Sequence, residues 1–318
     1  METGNSIRYV GLASIEDLTR WFIDKRAIRK DANRIRKEFG VGYLLGSSTK
    51  IDASNDAGEG YLSYIQYLSP ANGYNDATDS KRPSLCPYAT KGCAASCLGI
   101  SAGRMRFTSV QLAQVNRTRL FHENRRAYFV VLVDEILRAK RRAERDGLKL
   151  SIRLNGTSDI LWEYMKFEIE GVTFYDIFQA FPDVMFYDYT KVPYKYRKDA
   201  VDLPNYRLTY SYTGEPVSVK RANEYISAGC SVSVVYTGDP SPKLKKLFPN
   251  SWYWVNGDEH DMRFLDPAGS LVLLKAKGDA NRDRSGFVVH GVEKVRPMQL
   301  IYDSPRRMLR SFHSIKTD

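Results

Sequence analysis

Three of the four cysteines in this 318-residue chain fall in one short loop, Cys86-Pro-Tyr-Ala-Thr-Lys-Gly-Cys93-Ala-Ala-Ser-Cys97. Thiolates this close in sequence, with Gly92 available to turn the chain between them, can converge on one soft metal at little ordering cost. A buried turn that uses cysteine as a small core residue is the plainer reading of the same stretch. Three of four thiols clustering together favours the metal. A disulfide framework would leave an odd cysteine, and no secretory signal is read at the start, so a reduced, cytoplasmic chain is expected. Cys230, in Ala-Gly-Cys-Ser-Val-Ser-Val-Val, reads as packing in a strand.

The spacing C-x6-C-x3-C matches neither the paired C-x2-C of zinc ribbons nor the C-x3-C-x2-C of radical S-adenosylmethionine enzymes. Zinc would need a fourth ligand, and His122, in Arg-Leu-Phe-His-Glu-Asn, is the histidine on the same side of the chain; it reads equally as a helix-surface residue. The alternative cofactor is an iron–sulfur cluster on Cys86, Cys93 and Cys97, with one iron left open for S-adenosylmethionine.

A second set of chemical groups recurs at the ends of strand-like runs. Asn155 and Asp159 follow Leu150–Asn155, and Asp188 and Lys191 end Val184–Tyr189. Ser211 and Thr213 end Tyr206–Tyr212, and Thr237 and Asp239 end Cys230–Tyr236. The cluster Asp258-Glu-His-Asp261 follows Trp252–Asn256, and Leu271–Lys275 reads as one more strand. In a parallel β/α barrel the carboxyl ends of all strands open on one face, so these groups would converge. Several have structural readings: Asp159 can cap a helix beginning at Ile160, Asp239 precedes a proline turn, and the 258–261 cluster can be an exposed loop. Asp188 differs, because Phe-Tyr-Asp-Tyr sets a carboxylate among aromatics where desolvation raises its pKa unless it is paired.

The elements that must position these groups alternate strand and connector from residue 148 onward, with helical pieces at Ile160–Phe167, Val217–Ala228 and Pro242–Phe248, which favours parallel β/α units. The expected fold is therefore α/β, a complete or partial parallel β/α barrel with a helical N-terminal region and a Cys-rich metal loop, in one domain over residues 1–318. Within it, residues 1–80 read as helices and loop, with helices at Ser14–Phe22 and Arg26–Phe39 and a loop-rich stretch from 50 to 85. Residues 81–147 hold the cysteine loop and one long helix from about Ser109 to Arg145. Residues 148–318 hold the repeated units.

Lys and Arg outnumber Asp and Glu by 48 to 37, for a formal charge of +11 and a pI near 9.3. With 21 tyrosines available for stacking, this balance favours a nucleic-acid partner, DNA or RNA, over a merely basic surface. The longest apolar runs fall short of the ~20 residues a spanning helix needs, which excludes a helical membrane anchor.

The cysteine loop, Arg153-Leu-Asn-Gly-Thr-Ser-Asp-Ile and Phe186-Tyr-Asp-Tyr-Thr-Lys resemble a bacteriophage gene-product family of largely unassigned function over about residues 80 to 290. They are also similar to phage enzymes that insert 7-deazaguanine into DNA, relatives of the zinc-containing tRNA-guanine transglycosylases. Those enzymes hold zinc through a C-x-C-x2-C cluster and a late histidine, whereas the cysteines here precede the strands. That resemblance implies guanine exchange for a 7-deazaguanine base in DNA, in the host-cell cytoplasm. A carboxylate, Asp258 or Asp261, would attack the sugar carbon while Asn155, Asp159 and Asp188 read the extruded base. The loop is similar as well to phage proteins related to radical S-adenosylmethionine enzymes, whose partial barrels carry three cysteines near the first strand. A third class, a zinc-stabilised DNA-binding protein without catalysis, needs only the charge and the metal.

Overall fold

The computed structural model describes residues 24–70, 84–101, 103–249, 251 and 253–291. The helix read over Ser14–Phe22 lies outside them. In chain order the helices are α1 (Lys25–Phe39), α2 (Thr49–Asp56), α3 (Lys91–Ala95), α4 (Leu98–Ser101), α5 (Thr108–Glu123), α6 (Arg125–Arg145), α7 (Ile177–Ala180), α8 (Lys198–Val201), α9 (Pro216–Ser227) and α10 (Ser241–Leu247). The strands are β1 (Leu45–Gly46), β2 (Tyr61–Gln66), β3 (Lys149–Arg153), β4 (Phe167–Ile169), β5 (Val172–Phe174), β6 (Met185–Thr190), β7 (Tyr206–Ser211), β8 (Ser231–Thr237), β9 (Trp254–Asn256), β10 (Leu271–Lys275) and β11 (Val288–His290).

The main sheet runs β1-β2-β3-β6-β7-β8-β10-β9, with β11 on the β8 edge beyond the point where β7 leaves it. Every pairing in it is parallel except β1 with β2. Two elements lie in the stretch expected to be loop. Ser48 caps α2, its side chain accepting the Ile51 N–H, and Tyr61-Leu-Ser-Tyr-Ile-Gln forms β2, the first strand of the parallel series. The single helix expected from Ser109 to Arg145 is two helices. Asn124, at φ −143°, breaks the run, and its side chain accepts the Ala127 N–H at 2.9 Å to start α6. The helix expected over Ile160–Phe167 is one 3-10 turn at Trp162–Tyr164 followed by the β4–β5 hairpin.

The two faces of the sheet are chemically different because strand residues alternate sides. Leu150, Ile152 and Leu154, Phe186, Tyr206, Leu208 and Tyr210, Val232 and Val234, and Leu271 and Leu273 all join one apolar core. The middle of α6, from Tyr128 to Ile136, packs into the same core, and α1 docks on α6 through Ile28, Ala32 and Ile35. The positions between them on the strands are mostly polar: Ser63, Ser151, Arg153, Thr209, Ser231 and Ser233, with Tyr187 and Tyr189, and Val272 on β10 as the apolar exception.

That polar face is covered by the chain that leaves β9. Phe264 lies with its ring centroid 4.8 Å from Tyr61 of β2 and 5.3 Å from Tyr187 of β6. Asp261 accepts from Arg153 Nη1 at 3.1 Å, sits 3.2 Å from Lys50 Nζ, and donates its backbone N–H to Ser54 Oγ at 2.8 Å. In a flat sheet β9 and β3 would stand roughly 24 Å apart, five spacings of about 4.8 Å. A tight turn at Asn256 and a few further residues could not bridge that distance, so the sheet curls toward itself. Among the described residues no strand joins β9 to β1 or β2, and hydrogen bonding leaves the ring open. The chain is thus a mixed α/β structure with a mostly parallel central sheet, closed on its polar side by α2 and residues 257–266.

Burial works against charge on both partners of this contact. The opposite charges prevail: Arg153, Lys50 and Arg263 hold the Asp261 carboxyl below the usual carboxylate range, and Asp261 holds the Arg153 guanidinium charged. His260 beside Arg263 and Lys50 is pushed by burial and those charges down to about 4, so it is neutral. Removing the carboxylate alone would strand two partly buried cations. Asp261→Asn is therefore expected to lose about 3–5 kcal/mol in urea unfolding, whereas Asp258→Asn, which breaks a pair with the exposed Lys277, loses about 1 kcal/mol or less. Equal losses in the two variants would contradict the closure assigned to Asp261.

Candidate functional site

The cysteine loop lies over the carboxyl ends of β3, β6 and β7. Thr90 caps α3, its hydroxyl accepting the Cys93 N–H at 3.2 Å, which holds the loop's middle thiol at a helix start. Cys97 precedes α4, and its carbonyl accepts the Ile100 N–H at 3.2 Å, while the backbone N–H groups of Gly99 and Ile100 oppose the rise of its thiol. Cys86 donates from Sγ to the Thr157 carbonyl at 3.3 Å, and the Asp159 N–H bonds to Leu85 O at 2.7 Å. Both contacts tie the loop to the turn after β3. Close approach explains two glycines. A Cβ on Gly99 would lie 2.5 Å from Thr157 Cγ2, and one on Gly92 would lie 1.9 Å from Ser285 Oγ. The second contact means that residues 278–287, after β10, reach across the mouth of the sheet onto the cysteine loop.

Lys191 is the centre of this arrangement. Its side chain is partly buried, donates to Ser211 Oγ at 2.9 Å, and lies beside the Cys93 thiol. Burial opposes its charge, yet Cys93, Asp159 and Cys86 more than offset that and raise its pKa. Its backbone N–H bonds to Asp159 Oδ2 at 2.7 Å. Burial pushes the Cys97 thiol up, with the Gly99 N–H opposing. The sequence displays Lys191 as a strand-end polar residue beside an apolar Val192, a signal that a partly buried ammonium could have been read from.

The expected ligands are only partly brought together. Cys86 and Cys93 both act on Lys191, and Cys93 acts on Cys97. His122 lies in the last turn of α5 with its ring edge-on to Phe121 at 5.6 Å, and among the described residues no group of three His, Cys, Asp or Glu side chains is set to hold a metal ion. In kind, three soft thiols suit a thiophilic centre, and the cation they surround in this structure is the Lys191 ammonium. Cys230 is buried before β8, with burial raising its thiol to about 11, in keeping with packing.

The residues expected to read a base are engaged elsewhere. Asn155 Oδ1 accepts from Ser158, from the Ile160 N–H and from Trp162 Nε1, which pins its own loop. Asp188 points to the helix side of the sheet, where it accepts the Asn155 N–H at 2.6 Å and the Tyr206 hydroxyl at 2.9 Å. Burial raises it to about 7, as the aromatic setting foretold. Asp159 stands between Lys191 and Arg197. Arg197, fully buried, reaches Glu163 at 2.7 Å and Tyr206 at 2.9 Å. Asp258 sits at the rim, taking Lys277 Nζ at 2.7 Å and the Lys275 N–H at 2.9 Å, bonds that hold its carboxyl below the usual range despite burial. Asp261, three positions on, is enclosed by Arg153 and Lys50, so the two acids do not face one point.

One cation, Arg197, thus serves several buried carboxyls, and burial with too few counter-charges raises Glu163 to about 7. A raised carboxyl binds its proton more tightly in the folded state, so stability falls as pH rises from the unfolded pKa, near 4.5, to about 7. Glu163→Gln lacks that titration. Relative to the native chain, its stability is expected to improve by up to about 3 kcal/mol between pH ~5 and ~8. Urea unfolding at the two pH values checks this, and a constant gap between the proteins would contradict it.

Among the described residues no helix is long and apolar enough to cross a membrane. No curated protein and no solved structure matches the chain significantly. A family model described as Gene product 88 matches residues 43–291, from before β1 through β11, and so spans the parallel series, the cysteine loop and the loop that reaches onto it. The match accords with the phage gene-product resemblance of the sequence and does not extend to transglycosylases. The chain belongs to the Gene product 88 family.

Proposed function

We propose that this protein is an enzyme whose three thiols, Cys86, Cys93 and Cys97, carry an iron–sulfur centre at the mouth of a partial β/α barrel. The observation that supports this most is the position of the loop. It follows β2, the first strand of the parallel series, and its thiols gather over the ends of β3, β6 and β7, where a barrel fold collects its chemistry. Three cysteines at that place match the resemblance to radical S-adenosylmethionine proteins, in spite of their wider spacing. When bound, such a centre supplies one-electron chemistry and an open iron for the amino and carboxylate groups of S-adenosylmethionine.

The chain's own groups have definite parts in this reading. The Gly99 and Ile100 N–H groups favour the ionised Cys97 sulfur, and backbone dipoles of that kind tune a thiolate centre. Lys191 supplies a positive charge against the negative thiolates, and Ser211 holds it in place. The hydroxyl-lined face below, with Ser231, Ser233 and Thr209, offers donors and acceptors for a polar cofactor or substrate. Residues 278–287 cover the thiols from the other side and limit access of water.

Base exchange on guanine, with zinc in place of the cluster, is the second reading. Asp258 at the rim is the observation that favours it, since its carboxylate is held ionised and partly exposed. It draws less support from Asp261 and the three proposed base readers, whose polar atoms serve internal contacts. Protein purified without oxygen is expected to be brown and to contain iron and sulfide, both lost in Cys93→Ser. A colourless protein carrying a single zinc would overturn the cluster in favour of the second reading.

A further inference from the structure

From Ser84 to His122 the chain contains no aspartate or glutamate, a run that carries Lys91, Arg104, Arg106, Arg117 and Arg119. Arg117 and Arg119 are drawn inward onto backbone carbonyls of Tyr43, Tyr67 and Phe39. Arg104 and Arg106 are exposed on the 3-10 turn between α4 and α5, and Lys91 is exposed at the start of α3. Large apolar side chains stand out beside them: Leu98 is 47% exposed, Phe107 61% and Leu112 57%. Gln114 on α5 bonds to the Gly99 carbonyl at 3.3 Å, and Gln111 bonds to Met105 O at 3.0 Å, so α4, the turn and the start of α5 form one lobe. The 3-10 turn Gly278–Arg282 packs against α4 and brings the exposed Arg282 to the same rim.

A solvent-exposed phenylalanine beside Arg106, on a stretch from Ser84 to His122 without acids, suits a partner that offers negative charge and flat apolar faces together. Unpaired nucleotides do so: arginine meets phosphate and an aromatic ring stacks on a base. A folded acidic protein would supply the charge without the faces, and duplex DNA hides the faces in its stack. On the rival basic surface, along α1, the exposed Tyr43 ring is already engaged by Arg36 and Arg138, 5.8 and 5.4 Å from its centroid, and Arg34 is paired with Asp31 and Glu38.

We infer that the lobe formed by Leu98, Arg104, Arg106, Phe107 and Leu112, with Arg282, is a docking site for single-stranded nucleic acid beside the thiol cluster. This rests on the proposed function only in naming its substrate class, since binding at the lobe needs no metal. A strand held there would lie against the residues 278–287 that cover the thiols, within reach of the mouth of the sheet.

The test is fluorescence anisotropy with a labelled single-stranded oligonucleotide, as DNA and as RNA, across a salt series. Arg104→Glu/Arg106→Glu is expected to weaken binding at least about tenfold and to lower the salt slope by about 2. Arg104→Lys/Arg106→Lys keeps most of it. Phe107→Ala should cost several-fold for single strands and nothing for duplex, while Arg29→Glu/Lys30→Glu on α1 stays within about twofold of the native chain. Unchanged binding in the lobe variants, loss in the α1 variant instead, or equal competition by polyglutamate would overturn the inference. The variant with Cys86, Cys93 and Cys97 all replaced by serine separates the two readings. Retained strand binding together with lost metal leaves the docking site standing on its own, and lost strand binding overturns its independence of the thiols.

Discussion

The contact of Asp261 with Arg153 and Lys50 is the constraint on which the rest of this fold depends. A parallel sheet with helices on one side must cover its other face, and pairing the outermost strands would be the usual solution. This chain does not pair them among the described residues. It turns the segment after β9 back over the polar face and anchors it by a carboxylate between two cations, with Phe264 packed on Tyr61 and Tyr187. Arg153 is fixed in turn, its guanidinium 4.4 Å from the Tyr189 ring centre. Ionic closure of this kind sets the curl of the sheet, and the curl brings the strand ends toward one another.

The thiol cluster follows from that geometry. Once β3, β6 and β7 are drawn together at their carboxyl ends, Thr157, Lys191 and Ser211 meet, and the cysteine loop is laid over them by bonds to the turn after β3. Lys191 beside the thiols opposes the rise that burial gives the Cys97 thiol, and it is the ionised thiol that ligates soft metals. On the opposite side of the sheet, Asp188, Glu163 and Arg197 join β6 and β7 to the helix layer, so Asp188, the carboxylate that stands out among aromatics in the sequence, is engaged in contacts within the scaffold.

The runs that form β3, β6, β7, β8, β9 and β10 were legible because each is a short β-branched or aromatic run bounded by turn residues, and so was the amphipathic stripe of α1, whereas the three-residue strands β4, β5 and β11 are too short to show a period. The local signals of the legible elements agree with their tertiary setting. β2 was not legible: Tyr61-Leu-Ser-Tyr-Ile-Gln follows a glycine-rich stretch, and its burial does not alternate cleanly. Nor was the break at Asn124, where one polar residue interrupts an otherwise continuous helical period. Among the site residues, the crowding of Cys86, Cys93 and Cys97 could be seen in the spacing, and the raised pKa of Asp188 in its aromatic neighbours. The separate fates of Asp258 and Asp261 could not, since only the path of the chain after β9, back to Arg153 and Lys50, sends one to the rim and the other to the interior. Asn155 likewise looks like a strand-end donor until the folded loop turns Ser158, Ile160 and Trp162 onto its carbonyl oxygen.

Whether the three thiols act as one centre can be read directly by alkylation and mass spectrometry of the protein with and without iron and sulfide reconstituted into it. The account predicts that Cys86, Cys93 and Cys97 are modified in the metal-free protein and protected together on reconstitution, with buried Cys230 unreactive in both states. Protection of one thiol without the others, or equal modification of all three in both states, would contradict it.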